Sequence, residues 1–196
     1  MSKRQTTREH ILTTAFDVAS TEGLDSLTIG QLAKAAGMSK SGVFSHFNSK
    51  ENLQVAVIEF AGQLFVERVI QPARIEAPDS IEKKLRVLLK HWLEWNQSFQ
   101  GSCMFLDAWK DKANADSPLQ SALQALTRHW LEYLAVQIDK AKSQGEFKPS
   151  LDTWQGVYRL YGNYLSCHLF HSLALETDDR QRFWQGIEDM FTEWRV

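Results

Sequence analysis

The residues best suited to chemistry lie in one short stretch, Thr28-Ile-Gly-Gln-Leu-Ala-Lys-Ala-Ala-Gly-Met-Ser-Lys-Ser-Gly-Val-Phe-Ser-His-Phe47. Gly37 permits a sharp turn between two short apolar-patterned segments, and Ser39 follows as a hydroxyl able to cap a helix. A unit of this kind buries its apolar residues against a preceding helix and leaves its second helix standing out. The outward residues Ser39, Lys40, Ser41, Gly42 and Ser45 are small or polar, so the backbone can come close to base edges and phosphates. The free N–H groups at such a helix start suit phosphate. The helix itself suits the major groove of double-stranded DNA, which is about 12 Å wide.

Other chemistries have less to stand on. No nucleophile with a base at catalytic spacing, phosphate-binding loop or metal-ligand spacing is visible, so an enzyme is not expected. His168 and His171 stand three apart without a supporting cluster, and His91 and His129 stand alone, so neither a metal nor a cofactor is expected. Cys103 and Cys167 do not make a disulfide framework. Their oxidation would be a second kind of signal, but no cationic cluster adjoins either one in sequence to activate the thiol.

Composition bounds the rest. The chain has 196 residues, 43% hydrophobic and 23% charged, as expected of a globular protein. Four Pro and ten Gly are too few for a sandwich of tight turns and favour helices. Residues 1–50 carry six Lys/Arg against four acids, whereas the remainder is net acidic, an asymmetry that an anionic partner at one end would favour. The first ten residues lack the apolar core of a signal peptide, and Val157 to Leu175 is too polar for a membrane span. A cytoplasmic location without membrane contact is the expectation.

The elements that must position these residues read as all-α. Thr6 and Glu9 have capping-box spacing and predict a first helix from Thr6 to Glu22, stopped by Gly23. Thr28 and Gln31 repeat the spacing ahead of a short second helix, and the third covers about Ser39 to Phe47. Asn48 or Ser49 opens a fourth, lined by Leu53, Val57, Phe60, Ala61, Leu64 and Phe65. Pro72 and Pro78 bracket an expected break. Further helices are predicted over Ile81 to Trp95, Cys103 to Asp111, from Pro118 to before Gly145, from Asp152 to about Leu175, and from Asp178 or Asp179 to the end. The domains expected are a helix-turn-helix head over 1–50, a connecting helix and linker over 51–78, and a C-terminal effector-binding and dimerisation domain over 79–196.

From Thr7 to about Glu59 the chain resembles the TetR family of bacterial regulators. The resemblance is carried by Arg8-Glu-His-Ile-Leu-Thr-Thr-Ala, Gly23 before Thr28-Ile, Leu32-Ala33 with Ala36-Gly37, Ser39-Lys40, Val43-Phe44, His46-Phe47 and Ser49-Lys50-Glu51-Asn-Leu53. It implies a dimeric, ligand-responsive repressor on a palindromic operator, with Thr28 on a phosphate, Ser39, Lys40, Ser41 and Gly42 toward the groove, and His46 and Lys50 on the backbone. Family members often carry two aromatics before the His-Phe pair; here they are Phe44 and Ser45, and Phe44 has no hydroxyl to offer a phosphate.

For the body, the resemblance implies a cavity for a small molecule and pairing through the last two helices. Trp92, Trp95, Phe99, Phe105, Trp109, Trp130, Tyr161, Tyr164 and His168 are candidates to enclose a flat or apolar guest. Phe183, Trp184, Ile187, Met190, Phe191 and Trp194 offer more apolar area than a terminal helix needs, and are candidates for the dimer interface. A regulator without a small-molecule effector, whether an activator or a thiol sensor through Cys103 or Cys167, is the alternative.

Overall fold

The computed structural model describes residues 3–97, 117–175 and 178–196. Among these residues the chain is helical, and the only extended pairing is an isolated bridge between Phe147 and Arg195. The fold divides into two compact units, one of Met1–Glu67 with Trp95–Thr127, the other of Arg68–Glu94 with Arg128–Val196.

In the first unit, α1 spans Lys3–Glu22. It begins ahead of the expected Thr6, because Lys3, Arg4 and Gln5 are straight-chain helix formers that extend the helix backward. Thr6 and Glu9 therefore lie inside the helix and do not form a capping box. Gly23 stops it with φ +85°, its N–H donating to the Ala19 carbonyl at 3.0 Å. A 3₁₀ turn, Leu24–Ser26, leads into α2 (Ile29–Ala35), α3 (Lys40–Phe47) and α4 (Lys50–Phe65). Ile11, Leu12, Ala15 and Phe16 of α1 are buried with Leu32, Val43, Phe47, Leu53 and Val57. Trp95 belongs to this unit, its ring 5.8 Å from Phe16 and 5.6 Å from Phe65.

The helix does not break at Pro72 itself but at Ala77, between the two prolines that bracket the expected break. The chain passes from α4 through a π-helical turn, Val66–Ile70, directly into α5 (Gln71–Glu76), and Pro72 sits in the first turn of α5. Pro72 cannot donate a ladder bond, and the widened π turn just before it absorbs that disturbance. The chain leaves the helix only at Ala77.

The second unit draws on α6 (Ile81–Gln97), α7 (Pro118–Ser143), α8 (Thr153–Ser172) and α9 (Asp179–Trp194). The predicted helix over Cys103 to Asp111 lies outside the described residues. Ser117 opens α7, its hydroxyl accepting from Gln120 N at 3.2 Å, and Asp152 opens α8, accepting from Gln155 N at 2.8 Å. Helix α8 ends before Leu175 because the N–H groups of Ala174 and Leu175 turn back to the carbonyls of His171 and Phe170, with Ala174 at φ +48°. Asp178 occupies the cap position of α9 but makes no side-chain capping bond.

Two long-range polar features close this unit. The Glu146 carboxylate accepts from Ser80 Oγ and from the N–H groups of Ile81 and Glu82, each at 2.8 Å, and so caps α6 from far along the chain. Burial pushes its carboxyl up, but these bonds outweigh burial and hold it below the ordinary range. Arg195 grips Glu82 through Nε and Nη2 at 2.8 and 2.6 Å, while Arg86 spans Glu82 and Glu188 at 3.0 and 2.6 Å.

Candidate nucleic-acid interface

Helix α3 is short and clamped at both ends. Ser39 caps it, its hydroxyl accepting from Gly42 N at 3.1 Å. Asn48 ends it in the left-handed region at φ +65°, and Ser49 starts α4 at once by accepting from Asn52 N at 3.0 Å. Val43 and Phe47 fix the inner face; Phe47 is 3% exposed, and the Arg8 guanidinium lies 5.3 Å from its ring centroid. Lys40, Ser41, Phe44, Ser45 and Asn48 are exposed. Helical spacing turns Ser41, Ser45 and Asn48 away from Val43 and Phe47, with Lys40 and Phe44 on the flank between the exposed and buried sides.

The individual side chains differ in what they leave free. Ser45 Oγ donates to its own helix, to the Gly42 carbonyl at 2.7 Å, and so remains able to accept. Ser41 and Ser39 lie with their hydroxyl oxygens 3.2 Å apart. Thr28 caps α2, accepting from Gln31 N at 3.2 Å, which leaves its own O–H proton to donate. The Gln31 amide does not complete a capping box; it donates to the Glu22 carboxylate. Lys50 Nζ donates to the Asp25 carbonyl at 2.7 Å, tying α4 to the preceding 3₁₀ turn and leaving its other two N–H groups for an anion. His46 is half-buried, and Phe44 is 51% exposed.

Three contributors have roles that spacing alone does not assign. Gly30 lies beneath Lys40: a Cβ there would stand 3.1 Å from Lys40 Cε and 3.5 Å from Nζ. The missing side chain thus gives the lysine stem a bed across α2. Gln54 is buried and donates from Nε2 to the Leu24 carbonyl at 3.0 Å, fixing the turn that precedes Thr28. Arg8 acts through the Phe47 ring. Each depends on residues distant in sequence, so local spacing could not reveal it.

The residues expected around an effector separate. Trp92, Trp130, Tyr161 and Tyr164 gather in the second unit. Trp92 stacks on Tyr164 with centroids 3.6 Å apart at 12° and meets Trp130 edge-on at 5.1 Å. Tyr161 also lines a cleft of about 460 Å³ with Leu131, Asp152, Trp154, Gln155, Val157 and Tyr158. His168 Nε2 lies 3.4 Å from Ser172 Oγ, Trp95 packs in the first unit, and Phe99, Phe105 and Trp109 lie outside the described residues. Cys167 is a buried thiol that forms no disulfide, and Cys103 lies outside the described residues. Among the described residues no group of three His, Cys, Asp or Glu gathers as a metal site, and no helix is long and apolar enough to cross a membrane.

The candidate pairing residues of α9 are largely covered within the chain. Phe183, Ile187, Met190, Phe191 and Trp194 are buried, and Trp184 is half-buried. Phe147 packs 5.5 Å from Phe191 and 5.6 Å from Trp194. Exposed apolar area lies instead on α8, where Trp154 and Tyr158 are 56% and 75% exposed.

Comparison with known proteins agrees with this layout. Residues 11–57 match the family model described as bacterial regulatory proteins, tetR family, and residues 82–187 match that of the tetracyclin repressor-like C-terminal domain. The chain is 32% identical over 90 residues to the HTH-type transcriptional regulator AcrR of Shigella flexneri, a match covering 46% of this chain but only 41% of that protein. Its fold is that of a TetR-family transcriptional regulator from Cytophaga hutchinsonii, with TM-score 0.85, 20% identity and coverage of 100% of this chain and 98% of the other. SCO4454, a TetR-family regulator from Streptomyces coelicolor, superposes with TM-score 0.79 at 18% identity, covering 97% of this chain and 96% of the other. The second model alone spans more than half of the sequence, and the chain accordingly belongs to the TetR family of DNA-binding bacterial transcriptional regulators, which are not enzymes.

Proposed function

We propose that this chain is a ligand-responsive repressor that binds a palindromic operator as a homodimer and is released by a small apolar or aromatic effector. The observation that carries this reading is the exposed face of α3, with Lys40, Ser41, Phe44 and Ser45 outward and Val43 and Phe47 inward. Such a helix reads base edges, while Thr28, His46 and Lys50 hold flanking phosphates. Functionally the chain divides into a head over 1–50, a connecting segment over 51–78, and an effector and pairing region over 79–196.

A monomer covers too few base pairs for a selective site, and two-fold pairing sets two recognition helices about 34–36 Å apart. The pairing role of the last two helices is supported by α8. Trp154, Tyr158, Tyr161, Leu165 and Leu169 recur at helical spacing along one side, and Leu169 is 52% exposed. The effector role is supported by the packed group Trp92, Trp130, Tyr161 and Tyr164, whose rings offer a flat apolar wall. An effector that favours a state with misplaced heads would release DNA by population shift.

The test begins with duplexes selected from a random pool by the purified protein. Selection should return an inverted repeat, and sedimentation should give two chains per duplex. Tyr158→Asp should yield a folded monomer with weakened operator binding. In a thermal-shift screen of lipophilic and aromatic metabolites, a true effector raises the melting temperature and lowers duplex affinity together. No enrichment of any sequence would overturn operator binding, and a folded, unaltered dimer in the Tyr158→Asp protein would overturn the pairing surface.

A further inference from the structure

We infer that Phe44 is a thymine reader, seating its phenyl ring against the C5-methyl group of a thymine in each half-site. The inference rests on α3 being the DNA-reading helix and adds to that reading the identity of a base.

Phe44 is the one large apolar side chain on the outward side of α3, 51% exposed among Lys40, Ser41, Ser45 and Asn48. The inner side of the helix is already filled by Val43 and Phe47, both buried, so Phe44 is not a spare core residue waiting for space. A phenyl ring has no hydrogen-bond donor or acceptor. It gains nothing from a phosphate, a guanine edge or an adenine edge beyond what any surface offers. Of the base edges in the major groove, thymine alone presents an apolar group, its C5-methyl. Ser45, next in the chain, is short and turns its hydroxyl back to the Gly42 carbonyl, and Ser41, one turn earlier, is equally small. Neither side chain stands tall enough to keep the ring from the groove floor. Burying one methyl against the ring gives about a four-fold preference over the same base without it.

The experiment uses the full chain and the duplex it selects. Each thymine is replaced in turn by deoxyuridine, which deletes the methyl and leaves the pairing edge intact. The wild-type protein should lose about four-fold in affinity at one symmetric thymine position per half-site. The Phe44→Ala protein should bind the parent duplex more weakly and show no further loss at that position. Replacing the same base pair with 5-methylcytosine paired to guanine should recover part of the affinity over unmethylated cytosine in the wild-type protein only. Two results overturn the inference while DNA binding stands: no deoxyuridine position matters, or one matters equally with and without the ring. Binding to no duplex at all overturns instead the reading of α3 on which the inference rests. Because Phe44 lies at the surface, circular dichroism of Phe44→Ala should match wild type.

Discussion

The two units of this protein handle their aromatic and charged residues in opposite ways. In the first, short helices are held by local caps, and a half-exposed phenylalanine stands on the outer side of α3 while its neighbour Phe47 is sealed beneath. In the second, Trp92, Tyr164 and Trp130 close on one another, and the charges pair across long stretches of chain, Glu82 with Arg195 and Glu146 with the start of α6. Residue type and spacing therefore say most where structure is decided within three or four residues. They say least where the same residue types are arranged by the rest of the fold.

The sharpest contrast lies within α3. Phe47→Ala should cost about 3–5 kcal/mol in urea unfolding, because it opens a cavity in a filled core. Phe44→Ala should stay within about 0.5 kcal/mol, as exposed positions do. Trp92→Ala should behave like Phe47→Ala, with a loss of about 3–5 kcal/mol. Comparable losses at Phe44 and Phe47 would contradict the assigned faces of α3.

Next in size is the charged closure of the second unit. Hydrogen bonds from Arg195 hold the Glu82 carboxyl below its ordinary value against the opposing effect of burial, and Arg86 adds to the lowering. A carboxylate whose folded pKa is depressed contributes stability above its unfolded pKa of 4.5, and the contribution is lost as pH falls through the folded value. The contribution of Glu82 to thermal stability should therefore be fully present at neutral pH and decline below about pH 4.5. Glu82→Gln should cost about 1–2 kcal/mol at pH 7, solvent around Arg195 reducing the effect, and should make the acid decline shallower. An unchanged acid profile would remove Glu82 from this role.

Smaller effects separate local from distant caps. Ser39→Ala and Glu146→Ala should each cost about 1 kcal/mol by removing the acceptor for orphan N–H groups at a helix start. They should differ in readout: Ser39→Ala weakens duplex binding, and Glu146→Ala leaves it unaltered. The smallest change expected is Gly30→Ala. Alanine favours a helix, so stability should rise by up to about 1 kcal/mol. Its Cβ would crowd the Lys40 stem at 3.1 Å, so duplex affinity should fall a few-fold even though the protein is more stable. Affinity that rises with stability would place Lys40 away from DNA.

These cases also show what could be read in the chain beforehand. Thr28, Ser39, Ser117 and Asp152 were recognisable caps, because each bonds an N–H only three residues ahead. Gly23, Gly37 and Gly145 were recognisable stops, because each needs a positive φ that other residues resist. Thr6 misled, since a capping pair inside good helix formers has no end to cap. Pro72 and Pro78 bracketed the helix end at Ala77, although Pro72 itself sits in the first turn of α5. The apolar stripe of α9 could not be assigned to core or partner from spacing alone, and Phe147, which packs on it, is remote in sequence. Glu146 capping α6 and Arg195 on Glu82 join positions far apart along the chain, where no local pattern operates.

The most direct test of the account is Ser41→Glu, which puts a negative charge on the exposed side of α3 near its N-terminus. Fluorescence anisotropy with the selected duplex should show binding lost by at least about a hundred-fold, as expected for a like charge set against phosphates and base acceptors, with circular dichroism and melting temperature those of the wild type. Undiminished affinity in a folded Ser41→Glu protein would mean that this side of α3 does not meet DNA.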